Sequence, residues 1–150
     1  MKADYKNWVP KGMLITMSII SVLLLLSIGF SILLDGILGI TLTTITVAAF
    51  LVFGGLSIKL FRMHKAFSYD GKRKLSKQII EGTAAYVILP KGGVGLDVGC
   101  GSGALTIACA KRNPQGKMTG VDRWGKEYAS FSNLLCVQNA KAEGINNIVF

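Results

Sequence analysis

Three glycines alternate at Gly99, Gly101 and Gly103, and a carboxylate, Asp97, stands two residues before the first of them. Alternating glycines let a backbone adopt positive φ and bring its N–H groups close to a ligand that a Cβ would obstruct. The flanks define the setting: Gly95-Leu96-Asp97-Val98 reads as a short apolar strand, and Ala104-Leu105-Thr106-Ile107-Ala108 as the opening of a helix. A helix that starts at about Ser102 aims its positive end at the loop. A carboxylate at the end of the strand reaches a cationic or hydroxyl-bearing ligand in the crevice there.

A second acid completes the pattern. Residues 118–121 read as another strand, which ends at Asp122, 19 residues beyond Gly103. That spacing suits an acceptor for ribose hydroxyls. Parallel strands joined by a crossover helix bring both strand ends, and so Asp97 and Asp122, to one edge of a sheet. The constellation predicts a site for a nucleoside cofactor.

The elements that must hold this site follow an alternating α/β pattern from Leu75 onward. Leu75, Ile79, Ile80, Ala84 and Val87 give a helix one apolar face, and Pro90 with Gly92-Gly93 ends it. Val94–Val98 is the first strand, Ala104–Arg112 a helix stopped by Asn113-Pro114, and residues 126–143 a further helix with Tyr128, Phe131, Leu135 and Ala142 facing inward. Gly144 caps that helix, and Ile148-Val149-Phe150 begins a third strand.

On these motifs, residues 75–150 resemble the N-terminal half of a class I S-adenosylmethionine-dependent methyltransferase, a partial Rossmann-like parallel sheet. The D-x-G-x-G-x-G pattern of that family is matched by Asp97, Gly99, Gly101 and Gly103, and its acid closing the second strand by Asp122. The resemblance implies S-adenosyl-L-methionine as cofactor. It implies that the loop, Cys100 included, faces the amino-acid moiety, that Asp97 supports the ammonium group, and that Asp122 binds the ribose. Arg123 and Trp124 follow directly; Trp124 either covers the adenine or packs in the core. A dinucleotide-binding reading competes, because Gly99 to Ala104 also fits G-x-G-x-x-A. Asp97 argues against it, since an acid there gains nothing from facing pyrophosphate.

The resemblance also sets limits. A further adenine-contacting acid, a fourth strand facing the substrate and three more strands have no counterpart, so acceptor-side catalytic residues cannot be named. A three-stranded sheet with an open edge buries little surface and invites pairing. The expectation is therefore a fragment, inactive alone, of a membrane-anchored methyltransferase. The alternative is a non-catalytic, membrane-tethered cofactor-binding remnant or interaction module.

The first half of the chain has a different character. The chain is 51% hydrophobic, with a mean hydropathy of +0.48, too apolar for an ordinary soluble domain. Residues 13–34 and 37–58 each supply 22 residues without a charge, enough to span about 30 Å of hydrocarbon at about 1.5 Å per residue. Asp35-Gly36 supplies the turn between them. A secretory signal peptide fits poorly, because its apolar region would be shorter and no small-residue cleavage site precedes the second run. Gly39, Thr44, Ala48, Gly54 and Gly55 allow close approach of helices, chiefly within the hairpin itself.

Charge is segregated around this hairpin. The net charge is +9, yet residues 12–58 carry only Asp35, while residues 59–77 carry seven Lys/Arg against one Asp. The positive-inside rule then places both termini in the cytoplasm and the hairpin in the cell membrane. Residues 1–12 are a cytoplasmic lead with Tyr5 and Trp8 at the bilayer interface, and residues 59–74 a basic juxtamembrane linker, with Leu60, Met63 and Phe67 on one helical face. Residues 75–150 form the methyltransferase part. The basic balance is a membrane-flank effect, and no basic and aromatic motif supports a nucleic-acid partner. The partners expected are the lipid bilayer and a methyl acceptor of undefined class. No metal is expected: His64 has no second ligand nearby, and Cys100, Cys109 and Cys136 lack ligand-like spacing and read as reduced thiols.

Overall fold

Long uncharged runs without an internal Pro form helices first. The computed structural model describes residues 2–128 and 130–150, and it places helix α1 at Lys11–Ser31 and helix α2 at Gly36–Phe67. Both are long and apolar enough to cross a membrane. α2 runs on past residue 58 into the basic juxtamembrane stretch, where the sequence places Leu60, Met63 and Phe67 on one helical face. No Gly or Pro occurs from Leu56 to Asp70, and Leu60, Met63 and Phe67 keep helical spacing, so nothing stops the helix before the turn at Asp70-Gly71.

Val9–Lys65 forms one compact unit. Within it, Ser31 and Thr43 share a hydrogen bond at 2.9 Å and Ser21 and Ser57 one at 3.1 Å, so the two helices run antiparallel. The contact seam on α2 is Gly39, Thr43, Thr46, Phe50, Phe53 and Ser57, which are buried or half-buried at helical spacing. Of the small residues expected there, Gly39 and Gly54 lie on it, whereas Thr44, Ala48 and Gly55 face outward. His64 Nδ1 lies 2.9 Å from the carbonyl of Val9.

The second unit comprises the lead through Trp8 and Ala66–Phe150. Helix α3 is Leu75–Ala85, strand β1 Val94–Val98, helix α4 Ala104–Arg112, strand β2 Lys117–Val121, helix α5 Asn133–Ala142 and strand β3 Ile148–Val149. The sheet is parallel in the order β1-β2-β3, with Asp97 opposite Gly120 and Val98 opposite Val121. Right-handed crossovers in one direction place α4 and α5 on the same face. That face buries Met118, Ile107 and Cys109, while Val94, Leu96 and Val98 on the other face are 68, 65 and 75% exposed.

Two expectations need correction. Residues 126–143 are not one helix: Lys126–Tyr128 makes a single 3-10 turn, and α5 begins only after Ser132, whose hydroxyl accepts the N–H of Leu135 at 3.1 Å. That N-cap sets the true start. Ala129, inside the expected helix, and Met1, in the expected lead, lie outside the described residues. Tyr5 does not sit as an exposed interfacial ring. It is 6% exposed and packs with Ile80, Ala104, Ile107 and Ala140, so the lead contributes to the α/β core.

Candidate functional site

The site is assembled where β1 and β2 end. The N–H groups of Gly99 and Cys100 both donate to the carbonyl of Val121, at 2.8 and 3.1 Å, which turns the loop toward the end of β2. Gly99, Gly101 and Gly103 have φ of +80°, +55° and +76°, left-handed values that penalise any side chain. A Cβ at Gly99 would meet nothing within 4 Å, so its backbone faces open space. Gly103 is also the N-cap of α4, whose positive end therefore points into the loop.

The two acids take different stations. Asp97 accepts the hydroxyl of fully buried Thr106 at 2.6 Å, which ties the end of β1 to the first turn of α4. Asp122 accepts the N–H of Gly101 at Oδ2 and the N–H of Trp124 at Oδ1, both at 2.8 Å. These bonds, the one from Trp124 foremost, hold its carboxyl below the ordinary carboxylate range.

Trp124 is braced rather than loose. Its backbone takes φ +43°, and its indole N–H donates to the carbonyl of Gly101 at 2.9 Å. Cys136 Sγ donates to that carbonyl at 3.2 Å. Cys100, Cys109 and Cys136 are buried and free. The Cys100 thiol is pushed up by its hydrogen bond with Cys136 and then by burial, which keeps it protonated and unreactive. Arg123 follows Asp122 on the surface of the loop. Among the described residues, no group of three His, Cys, Asp or Glu could hold a metal ion.

Two cavities meet at the loop. One of about 390 Å³ is lined by Asp97, Gly99, Cys100, Gly101 and Ser102 together with Trp8, Ile79, Thr83, Tyr128 and Phe131. The other, of about 270 Å³, is lined by Asp122, Arg123, Trp124 and Gly125, and shares Gly99, Gly101, Tyr128 and Phe131 with the first. All the residues that the motif singled out therefore converge except Gly103, which is buried beneath the loop. Thr106, Trp8, Ile79 and Thr83 were missed. Only Thr106 had a local signal, a hydroxyl in the first turn of the helix that follows the glycines.

Comparison with known proteins gives the chain a family. The methyltransferase small domain profile matches residues 58–146, more than half of the chain. The chain belongs to the methyltransferase small-domain family. The cofactor of this methyltransferase domain is S-adenosylmethionine. No curated protein sequence matches the chain. Among solved structures, it is similar to a coclaurine N-methyltransferase bound to N-methylheliamine and S-adenosylhomocysteine, at 19% identity and a TM-score of 0.41. That likeness covers 55% of this chain and 24% of the other, so the methyltransferase domain described here spans about a quarter of that protein's length.

Proposed function

We propose that this chain provides the donor-binding part of a membrane-anchored methyltransferase. The observation that carries the reading is the loop of three left-handed glycines set between two acids, Asp97 and Asp122, at one sheet edge. Asp97, Gly99, Cys100, Gly101 and Gly103 make up the cradle for the amino-acid end of the donor. Asp122 takes the ribose, and Arg123 and Trp124 form the rim beside the base. The donor, when bound, supplies an electrophilic sulfonium methyl group.

The work of the residues is positional. The positive end of α4 faces the donor's carboxylate, while the N–H groups of Gly99, Cys100 and Gly101 are spent holding the loop to Val121 and Asp122. Thr106 fixes the rotamer of Asp97, leaving an oxygen for the ammonium group. Asp122, ionised and anchored to Gly101, couples ribose binding to the shape of the loop. Holding donor and acceptor in line accounts for most of the rate in such a displacement.

Anchoring is supported by α1 and α2, whose lengths and mean hydropathies of 2.5 and 2.2 suit spans, and by the Lys/Arg bias outside them. In this reading, residues 13–34 and 37–58 contain the lipid-embedded parts, both termini are cytoplasmic, and the acceptor is a small molecule, a lipid or a protein met at the membrane. The domain proper begins near Leu75.

Titration of S-adenosylhomocysteine into the full chain in detergent micelles tests the donor site. Binding in the micromolar range, lost in Asp122→Ala, supports it; no heat from the parent chain overturns it. Topology is tested separately with a cysteine introduced at Gly36, which should react with a membrane-impermeant maleimide on intact cells, whereas one at Lys74 should not.

A further inference from the structure

The segment ahead of α1 is fastened at several points from Asp4 to Trp8. Asn139, 2% exposed, accepts the N–H of Asp4 at 2.8 Å and donates to the carbonyls of Asp4 and Ser102 at 3.1 and 3.0 Å. One amide thus joins the lead to the glycine loop. Tyr5 donates its hydroxyl to Glu143 at 3.1 Å, and its ring centroid lies 4.5 Å from that of Tyr69. Asn7 pairs antiparallel with Ser68, and the Trp8 ring lies 5.7 Å from Phe67. The strap ends by placing Trp8, 38% exposed, in the wall of the larger cavity.

The donor leaves part of that cavity unused. A ligand with its ribose at Asp122 and its amino-acid end at Asp97 runs across the residues common to both cavities, Gly99, Gly101, Tyr128 and Phe131. Trp8 of the strap and Ile79 and Thr83 of α3 line only the larger cavity. They carry no charge. An ionic acceptor would find no counter-ion on this wall, while a flat apolar one can lie against the indole and gain from stacking beyond the area covered.

We infer that Trp8, with Ile79 and Thr83, forms the acceptor side of the site and selects a flat, apolar acceptor that carries a ring hydroxyl or amine. This rests on the donor assignment above. In the transfer, a lone pair on the acceptor heteroatom forms the new bond to the methyl carbon as the carbon–sulfur bond breaks. The breaking pair returns to sulfur, which leaves as a neutral thioether, and the acceptor's proton departs to water. Trp8 takes no part in the proton transfer; it determines which ring fits.

The test uses 2-naphthol and its saturated analogue decahydro-2-naphthol, titrated calorimetrically into the full chain in micelles with S-adenosylhomocysteine present, with heats of partition into empty micelles subtracted. The parent should bind 2-naphthol at least tenfold more tightly than the saturated analogue. Trp8→Ala should weaken 2-naphthol tenfold or more, Trp8→Phe less than threefold, and neither should change S-adenosylhomocysteine affinity beyond twofold. Ile79→Ala, at an exposed position of α3, should weaken 2-naphthol about three- to tenfold, which keeps the test open should Trp8→Ala misfold. Equal binding of the two alcohols overturns the inference. So does an equal loss of both ligands in Trp8→Ala, which would make Trp8 part of the donor wall. A parent chain that binds 2-naphthol but gives no heat with S-adenosylhomocysteine removes the donor assignment and leaves the apolar wall standing.

Discussion

The carboxylate of Asp122 accepts the backbone N–H of Gly101 at 2.8 Å, so the acid that closes β2 holds the loop that follows β1. Its other oxygen takes the N–H of Trp124, and Trp124 returns a bond from its indole to the carbonyl of Gly101. The three residues form a closed ring of hydrogen bonds around the cradle. A substitution at Asp122 is therefore felt in the loop as well as at the ribose that we propose it binds.

Asp122→Asn tests this double role. An amide has one accepting oxygen, so one of the two N–H groups would face an NH2 group. Losing charge-assisted bonds of about 1.5–3 kcal/mol predicts S-adenosylhomocysteine affinity about ten- to hundredfold below that of the parent. Calorimetry measures it; an unchanged affinity would remove Asp122 from the donor site.

Asn139 joins the lead to the loop through three hydrogen bonds with backbone groups. Asn139→Ala leaves those groups without their partner in a buried place. We expect a loss of about 2–3 kcal/mol in the stability of the α/β unit, read by urea unfolding monitored through tryptophan fluorescence. A cost below about 0.5 kcal/mol, the range of ordinary surface changes, would show that the strap is held elsewhere.

Phe150 lies in a slot between two glycines. A Cβ at Gly103 or at Gly120 would come 2.7 Å from its ring. Gly120→Ala should cost about 1–3 kcal/mol by overpacking. In the double variant Gly120→Ala with Phe150→Ala, the two penalties should sum to less than their separate values, because the clash is removed. Strict additivity would contradict the slot.

Glu143 responds to pH. Its carboxyl sits below the ordinary range because Lys111 bonds to it first, and the Tyr5 hydroxyl adds to this against the opposing effect of burial. A folded value below the unfolded one means that its stabilisation is complete above the ordinary value of 4.5 and is lost as pH falls through the depressed value. The stability difference between the parent and Glu143→Gln should therefore be constant near neutrality and shrink below about pH 4.5. Unfolding curves at several pH values check this, and a difference that grows in acid would contradict the ion pair.

Local chemistry made part of this protein legible in one dimension. Asp97, the three glycines and Asp122 announce the site because strand ends, left-handed turns and helix starts are written in neighbouring residues. The uncharged runs announce α1 and α2 for the same reason. Where a boundary depends on a side chain's partner, the reading slipped: the Ser132 cap moved the start of α5.

What lies far apart in the chain was decided only by the tertiary structure. Asn139 meets Asp4 across 135 residues, and Trp8 reaches the cavity of a loop that begins at Gly99. No periodicity or spacing encodes such pairings, because they arise from packing α4 and α5 beneath the lead. By itself, the sequence determined the glycine loop between its two acids and the apolar hairpin. Folding determined that the short polar lead, which reads as a mere approach to the first helix, is part of the wall around that cradle.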